Sequence, residues 1–173
     1  MVLYRCMPSM SVAFLAAALL IHPPFSSADD LKQNRVSLSG AKQFYVLVEK
    51  ISPEIEREGL TEGSIAGEVL QQLHRAGLKT IPRAEAYEVP GSPYLYVNAQ
   101  ALKLRATGEY IYAISMAFKQ DVYLARDPVM VMGASTWSTG ETIGITGNLQ
   151  KVRASIRAQV EQFIAAYFDA NPK

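Results

Sequence analysis

The densest group of chemically useful side chains is Trp137-Ser138-Thr139-Gly140, with Thr146-Gly147 a few residues on. Two adjacent hydroxyls sit beside an indole, and glycines at 140, 144 and 147 permit close backbone approach. A helix starting at Asn148 would add free N–H groups, so the layout can hold an anion. A hydroxylated ligand suits the same stretch, with Trp137 stacking on any ring. Nucleophilic chemistry at Ser138 or Thr139 further requires a base within hydrogen-bond reach. Glu141 is the only acid in the stretch. Neither Gly-Lys-Ser/Thr nor the dinucleotide glycine spacing is present, so this is no P-loop and no Rossmann turn. The competing interpretation is a plain connection whose glycines allow the turn, with Trp137 packed on the core edge.

Other constellations are poorer. Two histidines and one cysteine occur in the chain. His22 and Cys6 fall in an N-terminal export segment, which leaves His74 without a second zinc ligand. His74 and Arg75 close the first helix, where positive charge suits the negative end of the dipole. A Ser-His-Asp triad is arithmetically possible, but no strained Gly-x-Ser-x-Gly turn presents a serine. Glu54, Glu56 and Glu58 read as solvated surface, with nothing apolar nearby to raise a carboxyl for acid catalysis. Tyr94 and Tyr96 offer a partner surface, although tyrosine is equally at home in a strand. No cofactor and no metal is expected.

These residues must be held by a recognisable set of elements. Gln43 to Lys50 is nearly continuous apolar sequence and predicts a central strand buried on both faces. Ser52-Pro53 and the charged run to Gly59 form a surface excursion. Thr61 caps a helix whose stripe is Ile65, Val69, Leu73 and Ala76, ended by Gly77. Leu78 to Pro82 is a short second strand, parallel to the first by the crossover rule. A partly helical link leads to strands Tyr94–Arg105 and Tyr110–Ala125, joined through Thr107-Gly108-Glu109. Leu95, Val97, Ala99 and Ala101 share a face with Ile114, Met116, Phe118, Val122 and Leu124. Tyr96, Asn98, Gln100, Ser115, Lys119, Asp121 and Tyr123 face water.

A fifth strand, Val129–Thr139, precedes the loop Gly140–Gly147. The closing helix runs from Asn148 to about Asp169, with its stripe at Leu149, Val152, Ile156, Val160, Phe163, Ile164 and Tyr167. The expected fold is α/β: a two-layer sandwich of a mixed five-stranded sheet with two helices on one face.

The compartment follows from the N-terminus. Arg5, the apolar run Ser11–Ile21 and the small residues Ser26-Ser27-Ala28 make a signal peptide over 1–28. The run is shorter than the roughly 20 residues of a spanning helix. An uncleaved anchor is the alternative; lipoprotein processing would need a cysteine after the apolar run, and Cys6 precedes it. Residues 29–41 read as a flexible lead-in and 42–173 as a single domain. Without Arg5 the mature chain carries sixteen basic and sixteen acidic residues. That balance argues against nucleic acid or an anionic membrane as partner. With no cysteine left, stability rests on burial alone.

The runs FYVLVEKISPEIEREGLTEGSI, PGSPYLYVNAQALKL, TWSTG and VEQFIAAYFDANPK resemble a recurring family of bacterial exported proteins. That likeness spans nearly the whole mature chain and implies no activity, cofactor or site residue. At fold level the element order is similar to the TolB N-terminal domain and the curli-secretion lipoproteins. The resemblance implies a non-enzymatic periplasmic or envelope module for binding or assembly. Its partner is then an envelope protein or a small anionic or hydroxylated ligand, and a homo-oligomer joined at a strand edge is a further possibility. A small hydrolase or transferase using Trp137–Gly140 is the alternative.

Overall fold

The computed structural model describes residues 30–172. The expected signal peptide over 1–28, with its expected cleavage point before Asp29, lies outside them. The order is α1 (Lys32–Arg35), a 3-10 turn (Val36–Leu38), β1 (Tyr45–Val48), α2 (Pro53–Arg57), α3 (Glu62–Arg75) and α4 (Arg83–Ala86). Then come β2 (Tyr94–Lys103), β3 (Tyr110–Tyr123), β4 (Met130–Thr146) and α5 (Leu149–Ala170). The strands form one mixed sheet in the order β1-β2-β3-β4, with β1 parallel to β2 and the other pairs antiparallel.

The long helices begin and end where local chemistry directs. Thr61 Oγ1 accepts from the Ser64 N–H and Ser64 Oγ accepts from the Thr61 N–H, a reciprocal cap for α3. Asn148 Oδ1 accepts from the Lys151 N–H and caps α5. Ile65, Val69 and Leu73 of α3 enter one core with Val152, Ile156, Val160, Phe163 and Ala166 of α5. Both helices therefore cover the same face of the sheet. That face supplies Phe44, Val48, Leu95, Val97, Ala99, Ile114, Met116, Phe118 and Trp137. Phe163 lies at the centre, its ring 5.5 Å from Phe44, 5.4 Å from Trp137 and 6.0 Å from Phe118.

The β2–β3 hairpin puts the expected residues on one face. Leu95 pairs with Phe118, Val97 with Met116 and Ala99 with Ile114, all on the covered face. Short side chains meet long ones there, which fills the layer.

The sheet has four strands and not five. Leu78–Pro82 contributes a single parallel bridge, Phe44 to Thr80. Pro82 carries no N–H, restricts Ile81 and stands directly before α4, so no ladder can grow there. As a result β1 is an edge strand and not a central one; Tyr45 and Leu47 point to the uncovered side, opposite Tyr94 and Tyr96. Residues 53–57 form a helical turn that buries Ile55, so the excursion is anchored. The lead-in is also folded. Leu38 is fully buried, Arg35 pairs with Asp30 and Asp169, and Asn171 donates to the Leu38 carbonyl.

The largest difference concerns Gly140–Gly147. In place of a loop, β4 continues unbroken to Thr146. Thr142, Ile143, Ile145 and Thr146 are β-branched and favour an extended backbone. The glycines that suggested a loop serve the strand. Gly140, with φ +74°, forms a bulge opposite Met116. Gly144 lies under Tyr112, where a Cβ would sit 2.6 Å from the ring.

Candidate functional site

β4 carries every residue that the sequence marked for ligand binding except Gly147, which follows it. Alternation along the strand separates them. Trp137 faces the helices and is 2% exposed; its Nε1–H donates to Asp30 Oδ1 at 2.8 Å. Thr139 faces the same way and is buried. Its hydroxyl accepts from the Met116 N–H at 2.9 Å and donates to Gln159 Oε1 at 2.7 Å. The Gln159 amide then donates to the Ile114 carbonyl at 2.8 Å and to Thr142 Oγ1 at 2.9 Å. This network ties α5 to β3 and β4, and it commits the buried Thr139 hydroxyl proton to Gln159.

Ser138 and Gly140 open to the opposite side, in a shallow groove of about 320 Å³ shared with Tyr96, Lys119, Ser135 and Glu141. Thr146 lies six residues beyond Gly140, about 20 Å along an extended chain. Its hydroxyl bonds the Asn148 backbone at 3.3 Å, and the Asn148 side chain occupies the helix start. The six residues thus fall into three separate places. The helix N-terminus that was to hold an anion carries its own cap.

The groove is polar and internally paired. Tyr96 donates its hydroxyl proton to Glu49, and Lys119 Nζ stands 4.4 Å above the Tyr96 ring. Hydrogen bonding to that carboxylate, with burial adding, pushes the Tyr96 phenol up to about 12. The phenol therefore stays protonated across physiological pH. His74 bonds Thr80 at 2.6 Å, on the far side of the fold from Ser138. Among the described residues, no hydrogen bond joins Ser138 to a carboxylate or an imidazole, and no group of three His, Cys, Asp or Glu is placed to hold a metal.

What the sequence did not reveal is on the uncovered face. Leu102, Ile111 and Ile145 stand side by side across β2, β3 and β4, with Ile143 in the next outward position. Leu102, Ile143 and Ile145 are each about 60% exposed or more. The cause is the bulge. Trp137 and Thr139 point inward, so simple alternation would bury 141, 143 and 145 as well. The extra residue at Gly140 reverses the phase and turns Glu141 to water, carrying both isoleucines with it. Only a positive φ at one glycine signalled this, and φ is not legible in a sequence.

A second apolar group crowns the β3–β4 hairpin, where Tyr123 is 72% and Met132 73% exposed. A hollow of about 560 Å³ lies between Lys42, Lys79, Pro93 and Gln120, beside the start of β1. No helix among the described residues is long and apolar enough to cross a membrane.

No protein-family model matches the chain, and no curated protein matches it. Among solved structures it is similar to a PelC dodecamer from Paraburkholderia phytofirmans, with 14% identity over 75% of this chain and 91% of that one and a TM-score of 0.42.

Proposed function

We propose that the chain is a non-enzymatic binding or assembly module of the bacterial cell envelope, exported to the periplasm, that meets a protein through the uncovered face of its sheet. The observation that carries this is the exposed row Leu102, Ile111 and Ile145 with Ile143 beside it. Scattered surface apolar residues mean nothing, but a contiguous set on a rigid sheet marks an interaction surface. Its supports are strands and not loops, so the contact geometry is preset. The hydroxyl chemistry of β4 is committed to the fold at Thr139 and lacks a bonded base at Ser138. The resemblance to exported envelope proteins agrees with this reading.

Two measurements test it. A photo-crosslinking residue placed at Ile143 in native cells should capture a discrete protein band that the same residue at exposed Gln71 does not. Equal or absent capture at both positions rejects the surface. Mass spectrometry of the native protein should find Asp29 as its first residue, and an intact Met1 would reject cleavage after Ala28.

A further inference from the structure

Among the described residues the sheet ends at β4, which has β3 on one side and no strand on the other. That edge is not uniformly open. Near Thr136 the lead-in covers it, with Ser37 Oγ donating to the Thr136 carbonyl at 3.1 Å. From Glu141 to Thr146 the backbone makes no hydrogen bond except those to β3. The outward N–H and C=O groups of this stretch therefore have no protein partner among the described residues.

Natural sheets protect such edges with brevity, charge, proline, a bulge or a covering segment. The opposite edge follows that rule: β1 has four residues, is bridged at Phe44 by Thr80, and runs on into Lys50 and Pro53. β4 breaks it. The strand has 17 residues with no lysine and no proline, and Glu141 is its only charge. The Gly140 bulge adds two outward isoleucines beside the open stretch. A stretch left open beyond its bulge, with apolar side chains beside it, is a template for another strand.

We infer that Glu141–Thr146 pairs antiparallel with the same stretch of a second copy, about a two-fold axis at Gly144, joining two sheets into one. This rests on the reading of the uncovered face as a contact surface and names its occupant. The stretch is self-complementary in that register. Ile143 then stands opposite Ile145 of the second copy and Thr142 opposite Thr146, while Glu141 faces Gly147, so no like charges meet. On the uncovered side four isoleucines become contiguous, extending the rows that begin at Leu102 and Ile111 of each copy. On the helix side glycine meets glycine at the axis, which leaves room for the two helix layers. Isologous pairing of this kind closes on itself and stops at two.

The mature chain, with light scattering after size exclusion, should show twice the monomer mass. Ile143→Lys/Ile145→Lys should run as a monomer that still unfolds cooperatively, with a melting temperature independent of protein concentration where that of the wild type rises with it. Register is read with single cysteines, because the mature chain has none of its own. I143C mixed with I145C should form a disulfide-linked dimer on mild oxidation, whereas either variant alone should not. Directly opposed Cβ atoms lie about 4.5–5.5 Å apart and diagonal ones too far for the bond. A monomeric mature chain, a dimer that survives the double lysine change, or equal crosslinking of I143C alone would each overturn the second-copy assignment. If the chain is monomeric yet Ile143 still crosslinks to a different protein in cells, the edge belongs to that partner and only the second copy is lost.

Discussion

Phe163→Ala should lower the unfolding free energy by about 3–5 kcal/mol, the range for removing a buried aromatic ring. Phe163 is fully buried and stands where α5 meets the aromatic side chains of the sheet's covered face. Its ring touches Phe44, Phe118, Trp137 and Tyr167 within 6.2 Å between centroids. Those neighbours belong to the residue before β1, to β3, to β4 and to α5 itself, so the space left cannot collapse without moving an element. Phe163→Leu, which keeps most of the volume, should recover a large part of the loss. Trp137 is the only tryptophan in the chain, and its emission follows unfolding in denaturant directly. A shift smaller than about 1 kcal/mol would mean that the helix and sheet are not keyed together at this ring.

Asp30→Ala should cost about 1.5–3 kcal/mol, the scale of hydrogen bonds to a charged group. The Asp30 carboxylate accepts from Arg35 Nε and Nη2, both at 2.8 Å, from the Trp137 indole at 2.8 Å and from Gln162 at 3.3 Å. Truncation leaves the indole N–H buried without a partner and releases the lead-in from β4. The same site makes stability depend on pH. Burial opposes the charge on Asp30, but the Arg35 guanidinium and the Trp137 and Gln162 donors outweigh it and hold the carboxyl below its usual value. A carboxyl depressed in the folded state contributes its full stabilisation above the unfolded value of about 3.9. That contribution is lost as pH falls through the lower folded-state value. Asp30→Asn should therefore be less stable than wild type at neutral pH and lose less on acidification below pH ~4. Parallel acid titrations of the two proteins, followed at Trp137, decide it.

The lead-in shows how such contacts escape a sequence reading. Asp29 to Ala41 has no period and no apolar run, so nothing in it announces structure. Leu38 is nevertheless fully buried, and Asp30, Arg35 and Ser37 all bond groups more than ninety residues away. Contacts across such a separation leave no local pattern. They exist because β4 and α5 present an indole N–H, a carboxylate and a free carbonyl at one place.

What the sequence determined by itself were the features whose causes lie within a few residues: the caps at Thr61 and Asn148, the stripes of α3 and α5, and the shared inward face of β2 and β3 on either side of the turn at Gly108. Period and capping chemistry suffice there, since each element's buried face is written in its own spacing. The strand count, the side on which each β4 residue stands and the separation of Trp137, Ser138 and Thr146 were decided only by tertiary structure. One glycine bulge reverses inside and outside for every residue after it. Whether Gly140 makes a turn or a bulge depends on Met116 and Gln159, which the chain brings alongside only once the sheet and α5 have packed.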